Sequence, residues 1–369
     1  MISFFKKTVV TNTSKPKSNE VESYRQMVSE NIQSQLGYKN FFLTKSCTQS
    51  LELALMTLNF PAGKEVILPS YGFVSIANVL AINGLKCVFV DCEPGTMNID
   101  IKAIVNAITD ETVAVITINY GGVACDYDRL LPICKEKGIY IIEDNAHGIR
   151  AKYKGRYLGS FGDVSTISFD YLKNITCDEG GGISINDSRL LPDFEVSYFF
   201  GTNKASFMRN EAPFYEWKGR GTNSLLAEPL AEILYKQVMQ SEIIINHFKR
   251  KWNYYYEELK NFEQKGYIEL AKLPDYSEPN GHMFWIKVEN ESIRKKIMSY
   301  LFRKDIQTAF HYTPLHLSEY GKKVGEFRGV DKFTSKDSFR LLRLPLYYDL
   351  STESQVRIIE EIDNFYRQF

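Results

Sequence analysis

Six short apolar runs, each closing in turn residues and separated by stretches of helical spacing, constrain what this chain can fold into more than any other feature. They are EVILPSY from Glu65, KCVFVDCE from Lys86, TVAVITINY from Thr112, IYIIED from Ile139, VSTISFD from Val164 and GISIND from Gly182. Most are apolar at consecutive positions, so both faces must be covered. Strands of that kind belong to a mainly parallel sheet flanked by helices. Between them, Leu51, Ala54, Leu55 and Leu58 recur at helical spacing, and DRLLPICKEKG reads as a helix closing at Gly138. The fold class expected from about Lys39 to Asp187 is therefore α/β.

After Glu228 the pattern changes. EPLAEILYKQVMQSEIIINHFKRKWNYYYEELKNF has little Gly or Pro before Gly266 and reads as a long helical spine. Beyond it come a strand at MFWIKVE, a helix at ESIRKKIMSYLFRKD, a loop at HYTPLHL, a strand at RLLRLPLY and a closing helix from Thr352. Gln355 stands at capping-box spacing from Thr352. This is the pattern of a small α+β domain. A chain of 369 residues suits one large and one smaller domain, with expected bounds of 1–245 and 246–369. Residues 1 to about 20 are polar and are expected to be poorly ordered.

Lys plus Arg and Asp plus Glu balance at 45 each, so no electrostatic pull toward nucleic acid or an anionic membrane is expected. No apolar run nears the roughly 20 residues of a membrane span, and the opening residues lack a secretory apolar stretch. A cytoplasmic protein is expected. Cys47, Cys87, Cys92, Cys125, Cys134 and Cys177 include no pair at two-residue spacing, so neither a zinc site nor a disulfide framework is indicated. His311 and His316 lie on either side of a proline with no acidic ligand nearby, which suits substrate contact or packing better than metal.

Four features fall where strands end and helices begin, the place where open α/β sheets bind ligands. In SCTQSLELAL, Ser46, Cys47, Thr48 and Gln49 lead into a helix whose positive end can hold a phosphate; Thr48 as an ordinary N-cap is the competing reading. In IYIIEDNAH, Asp144 ends a buried strand and can pair with a protonated ring nitrogen, although a metal carboxylate or a solvated turn residue would look alike. In STISFDYLKN, Ser168 and Lys173 leave a strand just before Gly180, Gly181 and Gly182; a desolvated lysine there would be a nucleophilic amine, and a surface charge is the alternative. In PSYGFVSIAN, Tyr71 and Phe73 follow what reads as an edge-of-sheet turn and can stack on a flat ring or pack in the core.

With these segments the chain resembles the DegT/DnrJ/EryC1/StrS sugar aminotransferases, a branch of the fold-type I pyridoxal-phosphate enzymes. The likeness runs from about residue 22 to the C-terminus and also rests on VFVDCEPGTMNID, GVACDYDRL, YKGRYLGSFGDVSTISFDYLKN, EGGGISIND, FHYTPLH and RLLRLPLYYDLS. It implies pyridoxal 5'-phosphate as cofactor, Lys173 as the residue bonded to its aldehyde and Asp144 as the partner of its ring nitrogen. Phe73, or less favourably Tyr71, would stack on the ring, His147 would lie near the ring hydroxyl, and Thr48, Gln49 and Ser168 would hold the phosphate. Asn223, in GRGTNSLL, would reach the phosphate region from a second subunit, implying a homodimer with shared active sites. SLLAEPLAE after Asn223 departs from the family pattern, as do Asn145 and Gly72.

The implied reaction carries an amino group from glutamate to a nucleotide-linked keto-deoxysugar, dTDP-4-keto-6-deoxyglucose at carbon 4 being the reading best matched. Amination at carbon 3 is the first alternative and a non-catalytic nucleotide-sugar-binding relative the second. Arg209, His311, Tyr312 and His316 are the expected contacts to sugar or diphosphate. Lys173 speaks against a dehydratase on the same scaffold, where a histidine replaces the lysine. The lack of a glycine fingerprint after the first strand speaks against a dinucleotide oxidoreductase.

Overall fold

The computed structural model describes residue 2 and residues 23–368, so the polar opening segment expected to be poorly ordered lies outside the described residues. In chain order the strands are β1 (Phe41–Thr44), β2 (Glu65–Pro69), β3 (Lys86–Val90), β4 (Thr112–Ile118), β5 (Tyr140–Asp144), β6 (Lys152–Tyr153) and β7 (Arg156–Tyr157). They continue with β8 (Val164–Ser168), β9 (Gly181–Ile185), β10 (Ile268–Leu270), β11 (Ser277–Glu278), β12 (Phe284–Val288), β13 (Gly325–Phe327) and β14 (Leu341–Leu344). An eight-stranded sheet has the order β1-β9-β8-β5-β4-β2-β3-β13, and β10-β12-β14 form a three-stranded antiparallel sheet. A further small sheet joins β11, β6 and β7.

The six apolar runs all become strands of the large sheet, and their consecutive apolar residues divide between its two faces. Val66, Leu68, Phe89, Ala114 and Ile116 pack in one core, while Ile67, Val88, Val90, Val115 and Ile141 pack in the opposite one. From β13 through β3, β2, β4, β5 and β8 all pairs are parallel; β9 runs antiparallel between β8 and β1. Two members were not foreseen. The strand β1 is too short to show a period, and β13 comes from the C-terminal region, held to the sheet by Arg328, which grips Glu65 at the start of β2 through bonds of 2.6 and 2.8 Å. The sheet therefore recruits strands from both halves of the chain.

The expected continuous spine is two helices, Glu228–Met239 and Ser241–Gln264. They part at Gln240, where the Ser241 hydroxyl donates to Val238 O and accepts from Arg150 Nε. The second helix has a foot in each core. Ile244, Ile245 and Phe248 join the cluster beside β1 and β8, whereas Trp252, Tyr255, Leu259 and Phe262 join the cluster of the small sheet. The domain bound expected at residue 245 falls within this helix. The closing helix Thr352–Arg367 is capped by Ser351, not Thr352: the Ser351 hydroxyl accepts from Ser354 N, while Gln355 is buried and donates to Lys251 O. Burial rather than capping accounts for that glutamine.

Candidate active site

A cavity of about 850 Å³ opens along the edge of the large sheet where β2, β4, β5 and β8 end. Because those strands are parallel, their last residues gather there: Ile118, Asp144 and Ser168 line the cavity directly, and Phe73 follows β2 into it. The edge-of-sheet reading for Tyr71 and Phe73 is thus corrected, since β2 lies between β4 and β3, inside the sheet.

At one end, Ser46, Cys47 and Thr48 line the cavity at the start of the helix Cys47–Leu58. The cap is Ser46, whose hydroxyl accepts from Gln49 N at 3.1 Å, so Thr48 sits inside the first turn. First-turn amides have no intrahelical acceptor, and the helix dipole adds positive potential, which suits a phosphate. Register brings the helix here. Thr44 pairs with Gly181, which pairs in turn with Ser168, so the helix start, the β9 start and the β8 end share one edge. Gly180, Gly181 and Gly182 were expected to make a tight turn. None has a left-handed φ; a Cβ on Gly181 would overlap the Ser46–Cys47 peptide, and one on Gly182 would overlap the Phe41 ring. These glycines provide space.

Two adjacent acids at the end of β5 point opposite ways. Glu143 is fully buried and accepts from Gly159 N, Phe161 N, Gly162 N, Ser165 Oγ and Asn119 Nδ2 at 2.6 to 3.1 Å, fixing the turn that precedes β8. Asp144 faces the cavity, where one carboxylate oxygen accepts from Ala146 N at 3.0 Å. Burial holds the Asp144 carboxyl above the usual carboxylate range, against the pull of that amide and of Lys173. Lys173 follows β8 in a turn whose Lys173 N donates to Asp170 O at 2.9 Å. Burial lowers its amine below the usual lysine range, although Cys47 and Asp144 both act to raise it. A lowered amine and a raised carboxyl facing one chamber is the pattern of a reactive site.

The remaining wall is made of imidazoles and a guanidinium. His147 and His282 stack with ring centroids 4.5 Å apart, and His282 Nδ1 meets Asn174 Oδ1 at 2.6 Å. Burial, then the charges of Lys173 and Arg343, push both rings well below ordinary histidine values, so they are neutral. Across from them, Arg343 Nη1 lies 2.6 Å from a ring nitrogen of His311, which itself stacks on Tyr312.

Thr48, Phe73, Asp144, His147, Ser168, Lys173, His311 and Tyr312 are thereby brought to one cavity. Phe73 stands at its mouth, 58% exposed, and the other expected residues stand apart from it. Tyr71 is buried behind the wall, its hydroxyl donating to His311 O. Gln49 turns its amide toward Thr222. Arg209 is occupied on the surface by Glu195 and Glu211. Asn223 is exposed, its backbone bridged to Phe199. His316 spends both nitrogens elsewhere, Nδ1 on Ser70 Oγ at 2.6 Å and Nε2 on Asp331 at 3.2 Å, and so pins its loop to the end of β2. Arg343, His282 and Asn174 were not anticipated. An arginine inside the leucine run LLRL is the one signal that could have marked Arg343, since a buried strand rarely carries an unneeded charge.

A phosphorylated pyridine aldehyde fits these residues: the helix start and Ser168 suit its phosphate, Asp144 its ring nitrogen, Lys173 its aldehyde and Phe73 one ring face. Among the described residues no cluster of histidine, cysteine or acidic side chains could hold a metal, and no helix is long and apolar enough to cross a membrane. The family model for the DegT/DnrJ/EryC1/StrS aminotransferases matches residues 8–363. A GDP-perosamine synthase of Escherichia coli O157:H7 is 29% identical over 323 residues, spanning 86% of this chain and 84% of the relative. Bacillus subtilis SpsC, a spore coat polysaccharide biosynthesis protein, is 28% identical over 340 residues, spanning 89% and 85%. Among solved structures, a Brucella abortus aminotransferase of the same family superposes with a TM-score of 0.85 at 26% identity, covering 94% of this chain and 91% of its own. The Helicobacter pylori aminotransferase PseC has the same fold, with a TM-score of 0.86 at 22% identity over 95% of this chain and 92% of its own. Sequence, fold and cavity agree that this chain belongs to the DegT/DnrJ/EryC1/StrS family and is a pyridoxal-phosphate-dependent sugar aminotransferase.

Proposed function

We propose that the chain moves an amino group from glutamate to carbon 4 of dTDP-4-keto-6-deoxyglucose. One observation carries the transamination: Lys173 and Asp144 face the same buried chamber, the first with its amine lowered and the second with its carboxyl raised. When bound, pyridoxal phosphate supplies an electron sink that lets a C–H bond beside an amine break. Asp144 would hold the ring nitrogen protonated. Lys173, its amine lowered by burial, is the group that would move the proton at the donor α-carbon. Cys47, Thr48 and Ser168 would hold the phosphate, and Phe73 would cover a ring face. His311 and Tyr312 face the acceptor sugar.

Support for a second subunit comes from the excursion carrying Arg209 and Asn223. Met208, Phe214 and Trp217 on it are 70%, 69% and 83% exposed, more apolar surface than one segment of a monomer ordinarily shows. A homodimer would cover it and bring Asn223 toward the neighbouring cavity. The carbon-4 and dTDP assignments are supported by likeness of motif, and the GDP-perosamine synthase relative brings GDP-sugars into the test. Incubation with glutamate and keto-sugars linked to dTDP, UDP and GDP, followed by NMR, locates the new amine. It is expected on carbon 4 of the dTDP sugar; an amine on carbon 3 or on another carrier reassigns the substrate, and no amine on any of them overturns the reading.

A further inference from the structure

Lys173 is followed by Asn174, which lines the cavity, is only 2% exposed and has a side-chain nitrogen, Nδ2, with no hydrogen-bond partner among the described residues. Buried donors are nearly always paired, so such a group beside the reactive lysine calls for a ligand atom. The other end of the amide, Oδ1, lies 2.6 Å from His282 Nδ1. His282 lines the cavity too, and its second ring nitrogen, Nε2, has no hydrogen-bond partner among the described residues. Burial, the first of the causes acting on this ring, keeps it neutral. One of its nitrogens therefore carries a hydrogen and the other a lone pair.

The bond between the two side chains settles what they offer together. With Asn174 Oδ1 accepting from His282 Nδ1–H, the amide Nδ2 remains a donor and Nε2 an acceptor. With the amide turned over, its nitrogen donates to Nδ1, its oxygen becomes the outward acceptor and Nε2 carries the hydrogen. In both senses the pair presents one donor and one acceptor. A carboxylate or phosphate, which only accepts, would meet a lone pair, and an ammonium, which only donates, would meet an N–H. A hydroxyl donates once and accepts, and so satisfies both. The pair is also held from both lobes. The His282 ring stacks on His147 with centroids 4.5 Å apart, and His282 N donates to Asn280 Oδ1 at 3.0 Å. Asn280 Nδ2 in turn donates to His147 O and Ile149 O at 2.8 Å each, and Met283 O accepts from Trp252 Nε1 at 3.0 Å. A polar pair fixed in this way discriminates by being left unpaired when the ligand lacks its match.

We propose that Asn174 and His282 form a donor–acceptor pair that reads one hydroxyl of the acceptor sugar, the hydroxyl on the carbon next to the one that is aminated. The inference rests on the sugar aminotransferase reading and adds a requirement on the sugar itself. Because Asn174 adjoins Lys173 in the chain and shares its cavity, the pair stands beside the reacting carbon. For amination at carbon 4 the hydroxyl is the one on carbon 3, since carbon 5 of a 6-deoxysugar carries a methyl group and the ring oxygen.

The test gives the holoenzyme glutamate and the dTDP-4-keto-6-deoxy sugar with and without its carbon-3 hydroxyl. The ratio of kcat/KM for the two sugars is taken within each protein, so a general loss of activity in a variant cancels. The wild type should prefer the hydroxylated sugar by about 30-fold, the scale of one buried polar group left unpaired. In N174A and in H282F that preference should fall to about threefold or less. H282Q, which keeps a neutral donor and acceptor, should retain part of it. Calorimetric titration with the amino-sugar nucleotide and its 3-deoxy counterpart should show the same collapse of preference in affinity. A wild-type preference below about threefold overturns the inference. So does a preference unchanged in N174A and H282F, whose equal loss on both sugars would mark the pair as a structural latch or the seat of a bound water. Either result leaves amination itself in place, so the fate of the inference is distinguishable from that of the aminotransferase reading. If the amine is found on another carbon or carrier, the same comparison is made with the sugar that lacks the hydroxyl next to that carbon.

Discussion

At the scale of single residues, Glu143 and Asp144 show how one position along a strand separates structure from chemistry. Asp144→Asn removes the charge proposed to hold a ring nitrogen protonated but leaves a group able to accept from Ala146 N, so the protein should fold normally and lose on the order of 100-fold or more in rate. Glu143→Gln should do the reverse. It replaces one acceptor oxygen with a donor, facing either Gly159 N or both Phe161 N and Gly162 N, and leaves at least one buried N–H unpaired, at a cost of about 1–3 kcal/mol. Thermal melting and steady-state rates on the two variants check both statements, and equal effects on stability would contradict them. Lys173→Ala should abolish the protein-linked visible band and lower turnover by about 1,000-fold or more; unchanged turnover would remove the basis of the proposed chemistry. Both acids were visible as IIED at a strand end. Asp144 was the one expected at the site, and the phase at which β5 enters the sheet turns it to the cavity and Glu143 away from it.

At the scale of elements, the phosphate end of the site depends on how closely the strand β9 passes beneath the helix Cys47–Leu58. Gly181→Ala would push a methyl group into the Ser46–Cys47 peptide and tilt the helix start away from Ser168. Cofactor affinity should fall at least about tenfold, near 1.4 kcal/mol, by titration of the visible band. An affinity within twofold of wild type would show that the helix start does not bind the phosphate. The sequence displayed the triple glycine plainly but not its purpose. A glycine required for a left-handed φ and one required for space look identical until the neighbour from another part of the chain is in place. The same limit hid Arg343 and His282, since each joins the site from the small lobe, more than 100 residues beyond Lys173.

At the scale of the whole molecule, three imidazoles lie neutral around the cavity. Burial comes first among the causes for His147, His282 and His311, and the last is pushed to about 2. In the unfolded chain each would take up a proton near pH 6.5. Below that pH the unfolded state binds more protons than the folded one, so stability falls as the pH falls. Asp144, held above the usual carboxylate range, works in the opposite sense as it takes up its own proton. Glu65 adds a later loss: its bond to Arg328 lowers it to about 2, so its contribution is present above about pH 4.5 and disappears as the pH falls toward 2. Urea unfolding at pH 7.5, 6.0 and 5.0 should show a declining midpoint that begins near 6.5. A midpoint constant over that range would contradict buried neutral histidines.

What the amino-acid sequence determined by itself was the alternation of doubly apolar strands with helices, and with it a mainly parallel sheet whose strand ends carry Asp144, Ser168 and Lys173. Those are local properties, written in composition and spacing. Tertiary structure alone decided which side chains at those ends share a chamber. The helix Ser241–Gln264 seats one end in each core, so the small lobe is set against the strand ends, and Arg343, His311 and His282 complete a cavity that residues near Lys173 in sequence could not close. Contacts between distant segments depend on how two lobes pack, and no period of two or of 3.6 residues encodes that.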